Sequence, residues 1–122
     1  MKASWGVLEK DVESLEELVE ICEAIRASGE PTMLFLEADS GRTFVFGIGQ
    51  GESVLTFWEP DGTSFHSLGD AARRGHLRFL CRDQADEYLA EMAVPEQAAL
   101  TAAAQFLATG DRPSAVTWEP DW

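Results

Sequence analysis

Apolar residues recur at helical spacing from Leu15 through Leu18, Val19 and Cys22 to Ile25, and Glu13, Glu16, Glu17, Glu20 and Glu23 fall mostly on the other side. That period predicts one amphipathic helix. Ser14 stands where an N-cap hydroxyl takes up free amides, and Glu17, three residues on, completes a capping box. Ser28-Gly29 ends the helix and Pro31 forbids its continuation. A second helical stretch puts Ala98, Ala99, Ala102, Ala103, Phe106 and Leu107 on one side. Its alanines allow close approach to a sheet. Pro95 is expected in its first turn with Glu96 and Gln97, where a missing N–H costs nothing and acidic side chains meet the helix dipole. Gly110 stops it and Pro113 follows.

Between the helices the period changes. Thr32 to Glu37, Thr43 to Gly47, Ser53 to Trp58 and Thr63 to Ser67 read as strands, separated by turns at Asp39-Ser40-Gly41, at GIGQGE and at Glu59-Pro60-Asp61-Gly62. Connections this short force antiparallel neighbours, so the middle is a meander. SWGVL, residues 4 to 8, adds a short first strand, LRFLCR, residues 77 to 82, a further one, and Ala115 to Trp118 a last. The stretch from Asp83 to Met92 reads equally as strand or helix. The expected class is α+β: an antiparallel meander of four to six strands with two helices packed on one face. One domain over 1–122 is expected, with no repeat or linker.

Charge changes the picture more than composition does. Lys and Arg number 9 against 22 Asp and Glu, a net charge of −13. Such a surface disfavours direct nucleic-acid binding, because phosphate backbones attract cations. It either maintains solubility or speeds encounter with a basic partner. Cys22 and Cys81 match no metal spacing and read as buried free thiols. No leader-like apolar run follows the N-terminus and none reaches the roughly 18 residues of a membrane span, so a cytoplasmic location with no membrane contact is expected.

Candidate chemistry is sparse. In Gly47-Ile48-Gly49-Gln50-Gly51 a dinucleotide fingerprint would need a glycine where Glu52 stands, followed by a helix; a strand follows instead. Glycines that tolerate positive φ in a turn are the better reading. His66 and His76 have no ligand-spaced companions for zinc, and the deaminase signatures H-x-E and P-C-x-x-C are missing. Ser67 or Cys81 beside a histidine carries no local mark of a nucleophile. No catalytic residue, metal ligand or cofactor is therefore assigned. The residues that fit partner binding are acidic ones flanking turns: Glu52, Glu59, Asp61, Asp83, Asp86, Glu87, Glu119 and Asp121, with Tyr88 and Trp122 as aromatic anchors.

Three segments carry a resemblance. GIGQGESVL, residues 47 to 55, looks like a G-x-G hairpin; VPEQAALTAAAQFLATGDRP, residues 94 to 113, like a signature helix and stop; SAVTW, ending at Trp118, like a closing strand and tryptophan. In that order and spacing they resemble the family numbered first among the immunity proteins of bacterial polymorphic toxin systems. The resemblance spans residues 32 to 118. It implies a cognate toxin domain, often a nucleic-acid deaminase, encoded by a neighbouring gene and blocked by this chain. It carries over no catalytic residues; its matching positions, Gly47, Gly49, Pro113 and Trp118, look structural.

Two other functions compete with toxin binding: an acidic adaptor or regulatory protein for some other basic partner, and a small-molecule enzyme using a pocket on the sheet's open face. The missing ligand set predicts that protein purified without chelator binds no stoichiometric zinc and turns over no nucleotide. Metal analysis checks this, and one zinc per chain overturns it.

Overall fold

The computed structural model describes residues 1–121; Trp122, named above as an anchor, lies outside the described residues. In chain order the elements are β1 (Lys2–Trp5), β2 (Leu8–Asp11), α1 (Leu15–Ser28), β3 (Thr32–Glu37), β4 (Thr43–Ile48), β5 (Glu52–Ser53), β6 (Leu55–Trp58), β7 (Ser64–Leu68), β8 (His76–Cys81) and β9 (Gln84–Leu89). A 3-10 turn (Ala90–Met92), β10 (Val94–Pro95), α2 (Glu96–Thr109) and β11 (Thr117–Pro120) follow. The class is α+β. Among the described residues the main sheet has nine strands, more than the four to six expected. Its order is β11-β7-β6-β4-β3-β1-β2, all antiparallel, and β8 with its partner β9 joins β3 through a single parallel bridge, Thr32 to Leu80. The β3-β4-β6-β7 meander is the one its short turns dictate.

Alternation along β3 and β4 builds two cores. Leu34, Leu36, Phe44 and Phe46 face the helices, where they meet Leu18, Ile21, Cys22 and Ile25 of α1 and Ala99, Ala102, Ala103 and Phe106 of α2. Met33, Phe35 and Val45 face the other way and meet Leu77 and Phe79 of β8 with Val54. β4 is thus apolar on both sides, as a strand buried on both faces must be.

Several sequence expectations are corrected here. The first strand is a hairpin, β1 and β2, turning at Gly6-Val7, because Gly6 adopts positive φ in the middle of SWGVL. Ile21, not Leu15, completes the buried stripe of α1; Leu15 is 46% exposed in the first turn, before the helix reaches the sheet. Ser53 to Trp58 is broken at Val54, and β5 leaves the meander to pair with β10. Residues 83 to 92 hold both readings in succession, strand then 3-10 turn. Pro95 is the N-cap of α2 rather than a first-turn residue, in extended conformation with ψ 143°. The last strand runs two residues later than expected. Cys81 is half-buried, whereas Cys22 is fully buried and burial pushes its thiol up to about 11.

Two contacts explain residues singled out by resemblance. Gly47 does not have positive φ; a Cβ there would lie 2.3 Å from Cε1 of Phe79, so glycine is needed for the ring to seat on β4. Gly49 (φ 119°) and Gly51 (φ 82°) do need the left-handed side, and their amides point at one carboxylate. Glu96 Oε2 accepts from Gly49 N at 3.1 Å and Gly51 N at 3.2 Å, while its Oε1 accepts from Arg26 Nε at 2.8 Å and Nη2 at 2.6 Å. Successive amides in such a loop form an anion cradle, here filled by the first residue of α2. Burial alone would raise the Glu96 pKa; the Arg26 and glycine hydrogen bonds outweigh it and hold the carboxyl below its ordinary value.

Gly47→Ala should cost about 1–3 kcal/mol by overpacking. The double variant with Phe79→Leu should lose less than the two single losses added, which urea denaturation of the four proteins measures. Glu96→Gln should cost about 1.5–3 kcal/mol at pH 7, the scale of charge-assisted hydrogen bonds. Because the folded pKa is depressed, that contribution is present above the unfolded value of about 4.3 and is lost as pH falls through the folded value. The stability gap between wild type and Glu96→Gln should therefore close below about pH 4, measured by denaturation at a series of pH values.

Candidate functional site

The face of the sheet opposite the helices is divided. The β8–β9 hairpin covers the inner half over Met33, Val45 and Gly47. Its tip is held down by Arg82, whose guanidinium carbon sits 4.2 Å from the centre of the Phe35 ring, a cation–π contact. Arg82 has φ 59°, the one non-glycine residue with positive φ among the described residues. Such conformers persist where surrounding contacts hold them, and here the hairpin turn and the ring do so.

The outer half is open, and strand register lays a row of residues across it. Asp11 stands opposite Lys2, Lys2 opposite Glu37, Glu37 opposite Thr43, Thr43 opposite Trp58 and Trp58 opposite Ser64. Directly opposed residues share a face. Ser64 donates to Asp121 Oδ2 at 2.6 Å, which brings the chain terminus into the same row. Behind Trp58 a second row runs from Glu9 and Ser4 through the buried Phe35 and Val45 to Thr56, His66 and Glu119. A shallow pocket of 220 Å³ lies between Lys2, Glu9, Phe35, Glu37, Trp58 and Arg82. Trp58 is 42% exposed, and its indole N–H has no acceptor among the described residues. Lys2 pairs with Glu9 at 3.3 Å; Glu37 forms no ion pair there.

The acidic residues named from the sequence do not form one surface. Glu119 and Asp121 lie on the open face and clasp His66, with Glu119 Oε2 3.6 Å from Nε2 and Asp121 bonded to Nδ1. Burial pulls the Asp121 pKa upward, but the Ser64 and His66 hydrogen bonds prevail and hold it below the usual value. Glu52 is committed to Arg73, on the far end of the meander. Glu59 accepts from Arg42 at 3.0 Å. Asp61 accepts from Thr63 N and Oγ1 and serves its own turn. Asp83, Asp86 and Glu87 belong to the hairpin, with Asp86 2 residues from and bonded to Gln84, and Glu87 opposite Arg78. Tyr88 is half-buried edge-on to Phe79, and burial pushes its phenol pKa up, with Cys81 adding to the effect.

Sequence reasoning missed Trp58, Glu37, Glu9 and Arg82. Period-two alternation from Leu55 to Trp58 marks which side Trp58 takes, but not whether that side is covered. The residues matched by resemblance have structural roles. Pro113 is buried and its carbonyl accepts the Trp118 indole N–H at 2.6 Å. Trp118 is half-buried, its ring packed on Phe44 and Phe57 against the core cluster that includes Phe106. Ser67 is buried, donating to Met92 O and accepting from Leu55 N, while its neighbour His66 points to the opposite face. Among the described residues no three His, Cys, Asp or Glu side chains converge as metal ligands do. No helix among them is long and apolar enough to cross a membrane.

A sequence model of the family described as immunity protein Imm1 matches residues 9–120. No curated protein matches the chain.

The clasp on His66 ties the end of the chain to β7. Asp121→Asn should lower thermal stability by a few tenths to about 1 kcal/mol, the scale of a partly exposed ion pair. It should also speed amide exchange in β11 more than in β4. Equal protection of β11 in both proteins, read by hydrogen exchange, contradicts the clasp.

Proposed function

The chain belongs to the Imm1 immunity proteins, and from that premise we propose that it binds a cognate bacterial toxin domain and neutralises it by covering the active site, without chemistry of its own. The match over residues 9–120 carries this reading. It extends beyond the segments that resemble the family in sequence and takes in the first helix and all but the first residue of β2.

The toxin is a nucleic-acid-acting enzyme, a deaminase being the chemistry that the resemblance implies. Physical support comes from charge. An enzyme that grips a polyanion needs a basic cleft. A protein of net charge −13 is drawn to such a cleft and competes with nucleic acid for it. The same field keeps the immunity protein itself off DNA and RNA. The toxin is encoded by a neighbouring gene, and neutralisation takes place in the cytoplasm, where the nucleic acid is.

Co-expression should protect cells from the neighbouring gene's toxin domain, scored as surviving colonies, and the two purified domains should form a stoichiometric complex. Association should slow as salt rises from 50 to several hundred millimolar, because the Debye length shrinks from about 14 Å towards a few ångströms. Dissociation should change much less. A toxin that kills equally with and without this chain overturns the reading.

A further inference from the structure

We propose that the toxin-contacting surface is the open outer half of the sheet face opposite the helices, with Trp58 as its anchor and a lysine- or arginine-bearing patch of the toxin as its occupant. The proposal rests on the immunity reading and goes beyond it by assigning the face.

Three observations meet at this place. Trp58 exposes 42% of its surface although it stands on an inner strand of a nine-stranded sheet, with β4 on one side and β7 on the other. An exposed tryptophan on a rigid, paired strand loses little conformational freedom on binding, which is why tryptophan is enriched among residues that dominate interface energies. Its ring is backed by Phe35 at 6.2 Å, so it is held in place rather than free to swing.

Carboxylates surround this anchor. Glu37 stands two strands away in the same row without an ion pair among the described residues, and Glu9, Asp11, Glu119 and Asp121 complete the rim. Five carboxylates share this face with two cations, Lys2 and Arg82; Lys2 is paired with Glu9, and His66 holds Glu119 and Asp121. That leaves Glu37, beside the Trp58 pocket, and Asp11, at the far end of the row, without an ion pair among the described residues. An apolar centre inside a charged rim is the anatomy of a protein interface, and the sign of the rim selects a basic partner.

Other surfaces fit that partner less well. The β1–β2 turn exposes Val7 at 89% and Leu8 at 57%, but neither carries charge and neither is backed by a sheet neighbour on both sides. The pocket beside the loop at 71–76 is lined by Arg73, Arg74 and His76, the wrong sign for a basic patch. The outward side of α1 carries Glu16, Glu20 and Glu23 but no exposed aromatic residue.

The test uses the toxin domain encoded beside this gene, inactivated in its active site, and measures Kd and both rate constants by surface plasmon resonance. Wild-type binding tests the immunity reading; comparison of variants with wild type tests the face. Trp58→Ala should weaken binding at least 100-fold, mainly through faster dissociation, and Trp58→Phe should recover part of the loss. Glu37→Lys, which removes no packed group, should slow association at least fivefold and flatten its salt dependence. Leu8→Ser and Glu20→Lys should bind within twofold of wild type, each variant having the wild-type circular dichroism spectrum. Should Trp58→Ala and Glu37→Lys both bind within twofold of wild type, the assignment of the face is overturned while the immunity reading stands. If Leu8→Ser or Glu20→Lys alone weakens binding tenfold, the β1–β2 turn or α1 is the contact instead. Absence of wild-type binding overturns both.

Discussion

Glu96 joins three parts of the chain that are distant in sequence. Its carboxylate receives the guanidinium of Arg26 at the end of α1 and two glycine amides from the turn after β4, while its own amide donates to Gly51 O at 3.0 Å. Both helices are therefore registered against the same end of the central strand. A carboxylate this enclosed is costly to bury unless its lone pairs are satisfied, and four hydrogen bonds satisfy them. With that end set, the alanine face of α2 and the apolar stripe of α1 meet Phe44 and Phe46 side by side. The glycine-rich turn, which on spacing alone invites a phosphate-binding reading, is an anion cradle whose anion is part of the protein.

The opposite face of the sheet depends on one close approach. Phe79 seats directly on Gly47, and the hairpin that carries it covers the inner half of that face. Arg82 closes the cover over Phe35. The cover stops there, because the hairpin turns at Arg82-Asp83 and runs back along β8. What remains open is not an unfinished core: its residues are Lys2, Glu37, Thr43 and Ser64, polar side chains that need no burial, with Trp58 the exception.

The positions that carry the sequence resemblance, Gly47, Gly49, Pro113 and Trp118, have their contacts elsewhere. Gly47 and Gly49 shape the central turn, Pro113 supplies a carbonyl to Trp118, and Trp118 closes the helix-side core. They are scaffold. Under the proposed assignment the two roles are separate: the scaffold holds the sheet, and side chains of the open row can change without disturbing either core.

Much of this was legible along the chain. The capping residues Ser14 and Glu17, the glycine stops at Gly29 and Gly110 and the short turns of the meander act within a few residues, so local pattern was sufficient to place both helices and the middle strands. Even there the box is shifted, with Glu17 accepting from Glu13 N rather than from Ser14 N. The acidity and the segments resembling an immunity protein were legible too. Tertiary structure decided the rest. That Glu96 fills the glycine turn, that Phe79 needs Gly47, and that β5 leaves the meander for β10 are contacts across 32 to 47 residues, invisible to any local period. The candidate carboxylates show the same limit. Sequence marks a residue as charged, but whether it is spent on an internal partner, as Glu52 is on Arg73, or left facing solvent, as Glu37 is, follows only from which strands come together. Alternation assigns each side chain to one of two faces; only the folded chain determines which half of a face another segment covers.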